Sequence, residues 1–153
     1  MIKQIESILN SMGHRKLLFI VGDHLCGKTE LVKNYLQQSY GVNADKHYID
    51  VGLYIQKTIS KENLKIYKLF PEEFNSDMKT IFQKLVEEKY EGIDLLVFDH
   101  MEFLLSERYT GWIKLLDKVT LNDKAAIVVV PSEYEKSLPL NAYRFIKYNK
   151  QEG

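Results

Sequence analysis

Gly22-Asp23-His24-Leu25-Cys26-Gly27-Lys28-Thr29, written GDHLCGKT, decides the reading of this chain. It matches G-x-x-x-x-G-K-[ST] at every fixed position, a pattern that cradles nucleotide phosphates where a strand runs into a helix. Each fixed residue type has a physical task. Gly22 and Gly27 permit backbone angles and a close phosphate approach that a side chain would block. Between them, through Asp23, His24, Leu25 and Cys26, backbone N–H groups converge on the β-phosphate, helped by the positive end of the following helix. In that pattern Lys28 reaches the β- and γ-phosphates, and the Thr29 hydroxyl ligates Mg²⁺.

The flanks have the required character. Lys16 to Val21, KLLFIV, is the short apolar run of a buried parallel strand. Beyond the loop, Leu31, Val32, Tyr35 and Leu36 recur at helical spacing, with Lys33, Asn34, Gln37 and Gln38 on the opposite face and Gly41 as the stop. Ahead of the strand, Ile2, Ile5, Leu9 and Met12 form one side of a leading helix over residues 1–12. His14 and Arg15 follow it, where a base could stack or where the chain is only a solvated connector.

Further on, Ile93-Asp94-Leu95-Leu96-Val97-Phe98-Asp99 is a hydrophobic strand ending in a carboxylate, which is the form of a Walker B element. With a βα unit between it and the loop, Asp99 is the candidate partner of Mg²⁺ through its water shell. Three more strands are predicted: Lys46–Val51, with Asp50 at its end; Ala125–Val130, β-branched and central; and Tyr143–Tyr148, an edge strand. A helix begins at Pro71, with Met78, Ile81, Phe82, Leu85 and Val86 on its apolar face. Another carries Trp112, Leu115, Leu116 and Val119 before a turn at Asn122-Asp123. Residues 53–70 resist assignment: Leu53, Tyr54, Ile55 and Ile59 suggest a short helix, and Leu64, Ile66, Leu69 and Phe70 a partly buried connector.

Alternating strands and helices predict an α/β fold of three layers, with a five-stranded, mostly parallel sheet. At 153 residues the chain suits one domain, 1–153, ending in a polar tail at 149–153. The 21 basic residues balance 21 acidic ones, so no strong overall field attracts nucleic acid or membrane. Arg15, Arg108 and Arg144 are its arginines, a scarcity that weighs against a small-molecule kinase, whose transferring phosphoryl group is usually clamped by several. Cys26 stands alone, which excludes an internal disulfide and a cysteine-built zinc site. No apolar run reaches membrane-spanning length and Met1 opens no signal-peptide pattern, so a cytoplasmic protein is expected.

Hydrolysis would need a group to orient the attacking water and charge to neutralise the transition state. His100, directly after Asp99, is the candidate base, and a ligand-facing polar contact is its other reading. Glu102 is a second candidate, otherwise a solvated loop carboxylate. Ser132, after the fourth strand, is a candidate γ-phosphate sensor or a plain turn hydroxyl. Cys26, beside Lys28, is either a reactive thiol or a small residue fitting a tight loop. Asn149-Lys150-Gln151-Glu152 imitates the guanine-reading N-K-x-D poorly, with Glu for Asp, and reads as tail.

The five strands and two nucleotide elements resemble the core of AAA+ and related P-loop ATPases, whose strand order is 5-1-4-3-2. The length leaves no room for their helical lid, so no lid-borne sensor arginine is expected. More narrowly, GDHLCGKT, LLVFDHMEFLL and VVVPSEYE together resemble BrxF, the small P-loop protein family of BREX phage-resistance systems. The likeness runs from the leading helix through Tyr134. Its specific parts are the non-glutamate His100 after the Walker B aspartate, then Glu102, and the pair Glu133-Tyr134; the chain departs at Ser132, where the family carries glycine. This resemblance implies an ATP-binding defence component, a homo-oligomer working beside larger BREX proteins, with DNA as a candidate partner and ATPase activity that is weak or partner-dependent. A degenerate P-loop scaffold and, behind it, a small-molecule kinase are the alternatives.

Overall fold

Strand β1 (Lys16–Gly22) and strand β4 (Ala125–Pro131) are buried almost end to end, as runs with no polar residue beyond Lys16 require. The two are parallel neighbours, pairing Lys16 with Ala125 through to Gly22 with Pro131. The computed structural model describes residues 1–13, 16–23, 26–105, 111–121, 123–138 and 143–148. His14, Arg15, His24, Leu25, Arg108, Asn122 and the 149–153 tail, all considered above, lie outside the described residues.

Pleating divides each strand between two cores. Leu17, Phe19 and Val21 of β1, with Ala126, Val128 and Val130 of β4, face one cluster; Leu18 and Ile20, with Ala125, Ile127 and Val129, face the other. Helices α1 (Ile2–Ser11) and α2 (Lys28–Tyr40) close the second cluster with Ile5, Leu9, Leu31, Val32, Tyr35 and Leu36. The first is closed by α3 (Val51–Thr58), α5 (Pro71–Lys89), the single turn α6 (Glu102–Leu105) and α7 (Gly111–Thr120). Three layers result.

Strands β2 (Tyr48–Asp50), β3 (Leu95–Asp99) and β5 (Arg144–Lys147) complete a sheet of order β2-β3-β4-β1-β5. Read from the other edge this is the expected 5-1-4-3-2, and every pair is parallel. Such a sheet opens its ligand crevice beyond the carboxyl ends of its strands. Gly22, Asp50 and Asp99 all fall there.

Two expectations need correction. The second strand is shorter than Lys46–Val51: Gly41–His47 winds into a 3₁₀ helix, and Val51 already belongs to α3. Asp50 ends it, because its Oδ1 accepts from the Leu53 N–H at 2.9 Å and caps α3. Residues 53–70 are a helix pair, α3 followed by α4 (Lys61–Leu69). Ser60 and Asn63 form a reciprocal capping box at the start of α4, with each side chain accepting from the other's backbone N–H. Tyr67 alone is buried on α4, with its ring edge-on to Phe74 and its hydroxyl on Asp77, while Leu64, Ile66, Leu69 and Phe70 are exposed. The apolar spacing misled because the helix rests on α5 by one aromatic anchor. Ser60→Ala is expected to cost α4 about 1 kcal/mol, seen as faster hydrogen exchange of its amides.

No helix among the described residues is long and apolar enough to cross a membrane.

Candidate functional site

Beyond the ends of β1, β3 and β4 lies a cavity of about 310 Å³ lined by Cys26, Gly27, Lys28, Thr29, Glu30, Asp99, His100, Glu102, Val129 and Pro131. The turn into α2 builds one wall. Gly27 is the N-cap of α2 at φ 96°, a left-handed angle that a side chain rarely tolerates. The helix therefore starts at Lys28 with its free N–H groups toward the cavity.

Lys28 is only 8% exposed. Its ammonium donates to the carbonyls of Gly22 at 2.7 Å and Asp23 at 2.6 Å, and meets Cys26 Sγ at 3.7 Å. Among the described residues no carboxylate pairs with it. A cation withdrawn from water, beside the positive end of α2 and balanced only by carbonyl dipoles, favours an anion.

Across the cavity the polarity reverses. Asp99 is 4% exposed and carries three protein donors. Thr29 Oγ1 and Tyr48 Oη each donate to its Oδ2 at 2.7 Å, and the His100 N–H donates to its Oδ1 at 2.8 Å. The Thr29 bond closes a gap of 70 residues. Neutral donors fill this carboxylate, and the nearest basic side chain among the described residues is His100, with Nε2 at 3.8 Å. Burial first, then the bond to Asp99, holds the Tyr48 phenol well above its ordinary pKa, so it remains a donor.

His100 is half exposed and has φ 57°, a left-handed backbone outside glycine. That turn lets its N–H reach back to Asp99 while its ring projects between Asp99 and Asp50, whose Oδ2 lies 4.0 Å from Nε2. Glu102 opens α6 on the cavity rim. Lys28, Thr29, Asp99, His100, Glu102, Cys26 and Gly27 thus meet at one cavity. Ser132 is tied to the 22–29 stretch, its hydroxyl donating to Asp23 Oδ1 at 2.5 Å, and it is not among the residues lining the cavity. Cys26 Sγ lies 3.3 Å from the Tyr148 carbonyl oxygen, so the thiol is engaged within the fold.

Tyr48 and Lys33 are the residues that sequence reasoning passed over. Lys33, one turn beyond Thr29 on α2, sets its ammonium 4.7 Å from the Tyr48 ring centroid. The available signal was Tyr48 standing two residues before Asp50, and so on the same strand face.

The donor set suits a hard divalent cation, with one hydroxyl and one carboxylate sharing a hydrogen bond at the cavity wall. Among the described residues no group of three or more His, Cys, Asp or Glu side chains could hold a metal alone. A cation here would draw its remaining ligands from water and phosphate oxygens, which is the habit of Mg²⁺. No family model, curated protein or solved structure matches the chain.

Proposed function

We propose that the cavity binds ATP with Mg²⁺, and that the chain is a P-loop protein with an AAA+-like core whose turnover is weak or depends on a partner. The observation that carries the reading is the pairing of opposites: a buried ammonium that meets no carboxylate and a buried carboxylate that meets no lysine or arginine among the described residues, both at one cavity. A magnesium phosphate satisfies both at once. Lys28 exchanges the loop carbonyls for phosphate oxygens, and the α2 N–H groups donate to them. Thr29 keeps its proton on Asp99 and offers a lone pair to the cation. Bound Mg²⁺ supplies neutralisation of charge building on the phosphates.

Slow turnover follows from what surrounds this core. His100 and Glu102, which line the cavity, are the candidates for orienting water. Arg144, the one arginine among the described residues, starts β5 in register with Leu18, four residues upstream of Gly22 and away from the cavity. Transition-state charge would therefore be met by an arginine outside the described residues or from a second molecule. The likeness of LLVFDHMEFLL and VVVPSEYE to BrxF supports placing this nucleotide site in a BREX defence assembly, with larger partners and DNA as candidates.

The scaffold reading has its own observation. Lys28 is tied to the loop's own Gly22 and Asp23 carbonyls, a closed state that a non-binding protein would keep. Calorimetry with ATP in EDTA and in excess Mg²⁺ separates the two. Saturable, Mg²⁺-enhanced binding is expected, and no heat would select the scaffold. In Asp99→Asn the EDTA affinity is expected to stay within about two-fold while most of the Mg²⁺ enhancement disappears.

A further inference from the structure

Asp99 has more donors than its orientation needs. Its two oxygens are already fixed separately, Oδ1 by the His100 N–H and Oδ2 by the Thr29 hydroxyl. The Tyr48 hydroxyl adds a second donor to Oδ2, and it does so from outside the residues lining the cavity. Three elements hold the phenol there. The β2–β3 register sets Tyr48 opposite Val97 and Asp50 opposite Asp99, the Lys33 ammonium lies over the ring, and the ring packs with the α1–α2 core.

From this arrangement we propose that Tyr48 sets the divalent-cation affinity of the site, its hydroxyl standing in for the cation on Asp99 Oδ2 when the cavity is empty and competing with it when Mg²⁺ arrives. The inference rests on the Mg·ATP reading above. An empty site needs such a stand-in because a buried carboxylate without enough donors is costly. Once Mg²⁺ and its water shell approach, the same donor becomes a rival: each hydrogen bond drawing on Oδ2 leaves less of its charge for the bound water. Thr29 escapes this conflict, since its oxygen can face the cation while its proton stays on Asp99. The phenol is not among the residues lining the cavity, so what it offers Asp99 is the proton alone.

Tyr48→Phe keeps the ring, its packing and the Lys33 contact, and removes only the hydroxyl, with its bond to Asp99 and its contact with Thr29. The quantity to measure is the ratio of the ATP dissociation constant in EDTA to that in excess Mg²⁺, by calorimetry on wild type and variant. The ratio is expected to rise in the variant on the order of ten-fold, the size of one hydrogen bond to a charged group. Thermal melting of the same samples should show the nucleotide-free variant melting below wild type and the Mg·ATP-loaded variant recovering most of the difference. A bond that served packing alone would lower both melting temperatures alike and leave the ratio unchanged. That result, or a smaller ratio, overturns the inference and leaves the nucleotide reading standing. Wild type without saturable ATP binding overturns both.

Discussion

Lys28→Ala is expected to weaken Mg·ATP binding by about 100-fold or more while leaving the nucleotide-free protein as stable as wild type, or slightly more so. The binding loss follows from the two charge-assisted hydrogen bonds the ammonium would make to phosphate, each worth about 1.5–3 kcal/mol. The stability result is the less obvious half. This ammonium is 8% exposed and leans on two carbonyl oxygens with no carboxylate partner among the described residues. Such a charge keeps much of its desolvation cost, and removing it relieves the fold of that cost. Lys28→Met, which retains the apolar stem, should show the same split with less cavity formation. Calorimetry for binding and urea unfolding for stability check the pair. An alanine variant that unfolds easily would mean that the lysine is structural, and one that binds ATP normally would remove Lys28 from the site.

The elements that proved legible are those whose sequence signal is local. Apolar runs such as KLLFIV and AAIVVV have no polar face to give to water, so they must be inner strands, and they are. The strand order was implied by the resemblance to AAA+ and related cores, and the sheet has that order. What stayed hidden depends on register between distant segments. Tyr48 reads as one more β-forming aromatic until β2 pairs with β3 and brings its hydroxyl to Asp99. The Ser132 hydroxyl was free in sequence to face a phosphate, but Asp23, 109 residues away, takes it. In α4 the apolar spacing pointed to burial, whereas a helix resting by Tyr67 alone leaves Leu69 75% exposed. Propensity carries no information about how far one helix stands from the next.

Gly22 gives the sharpest contrast between a motif and its physical cause, and Gly22→Ala has the second large expected effect. The pattern at 22–29 explains this glycine by the approach of a phosphate. Its backbone angle, however, lies outside the left-handed region that Gly27 occupies, so alanine would meet no intrinsic φ penalty. The obstacle is the chain itself. A Cβ at residue 22 would collide with the Tyr148 carbonyl oxygen and come within 2.8 Å of Cys26 Sγ. The colliding backbone is held in place, because the Tyr148 N–H donates to the Val21 carbonyl at 2.7 Å and its own carbonyl oxygen lies against the Cys26 thiol. Neither neighbour is the free end of a flexible side chain, so either β5 must shift off β1 or the loop must reshape. Overpacking of this kind costs about 1–3 kcal/mol, and the upper end is expected here because the contact is with backbone. For a chain of this length that is a fall of roughly 6–10 °C in melting temperature without any nucleotide. Urea unfolding of the nucleotide-free variant is the measurement. An unchanged midpoint would mean that Gly22 answers only to a phosphate. A fall would mean that Gly22 and Cys26 are packed with the exit of β5 at Tyr148 as one unit, so that a shift of either strains the other.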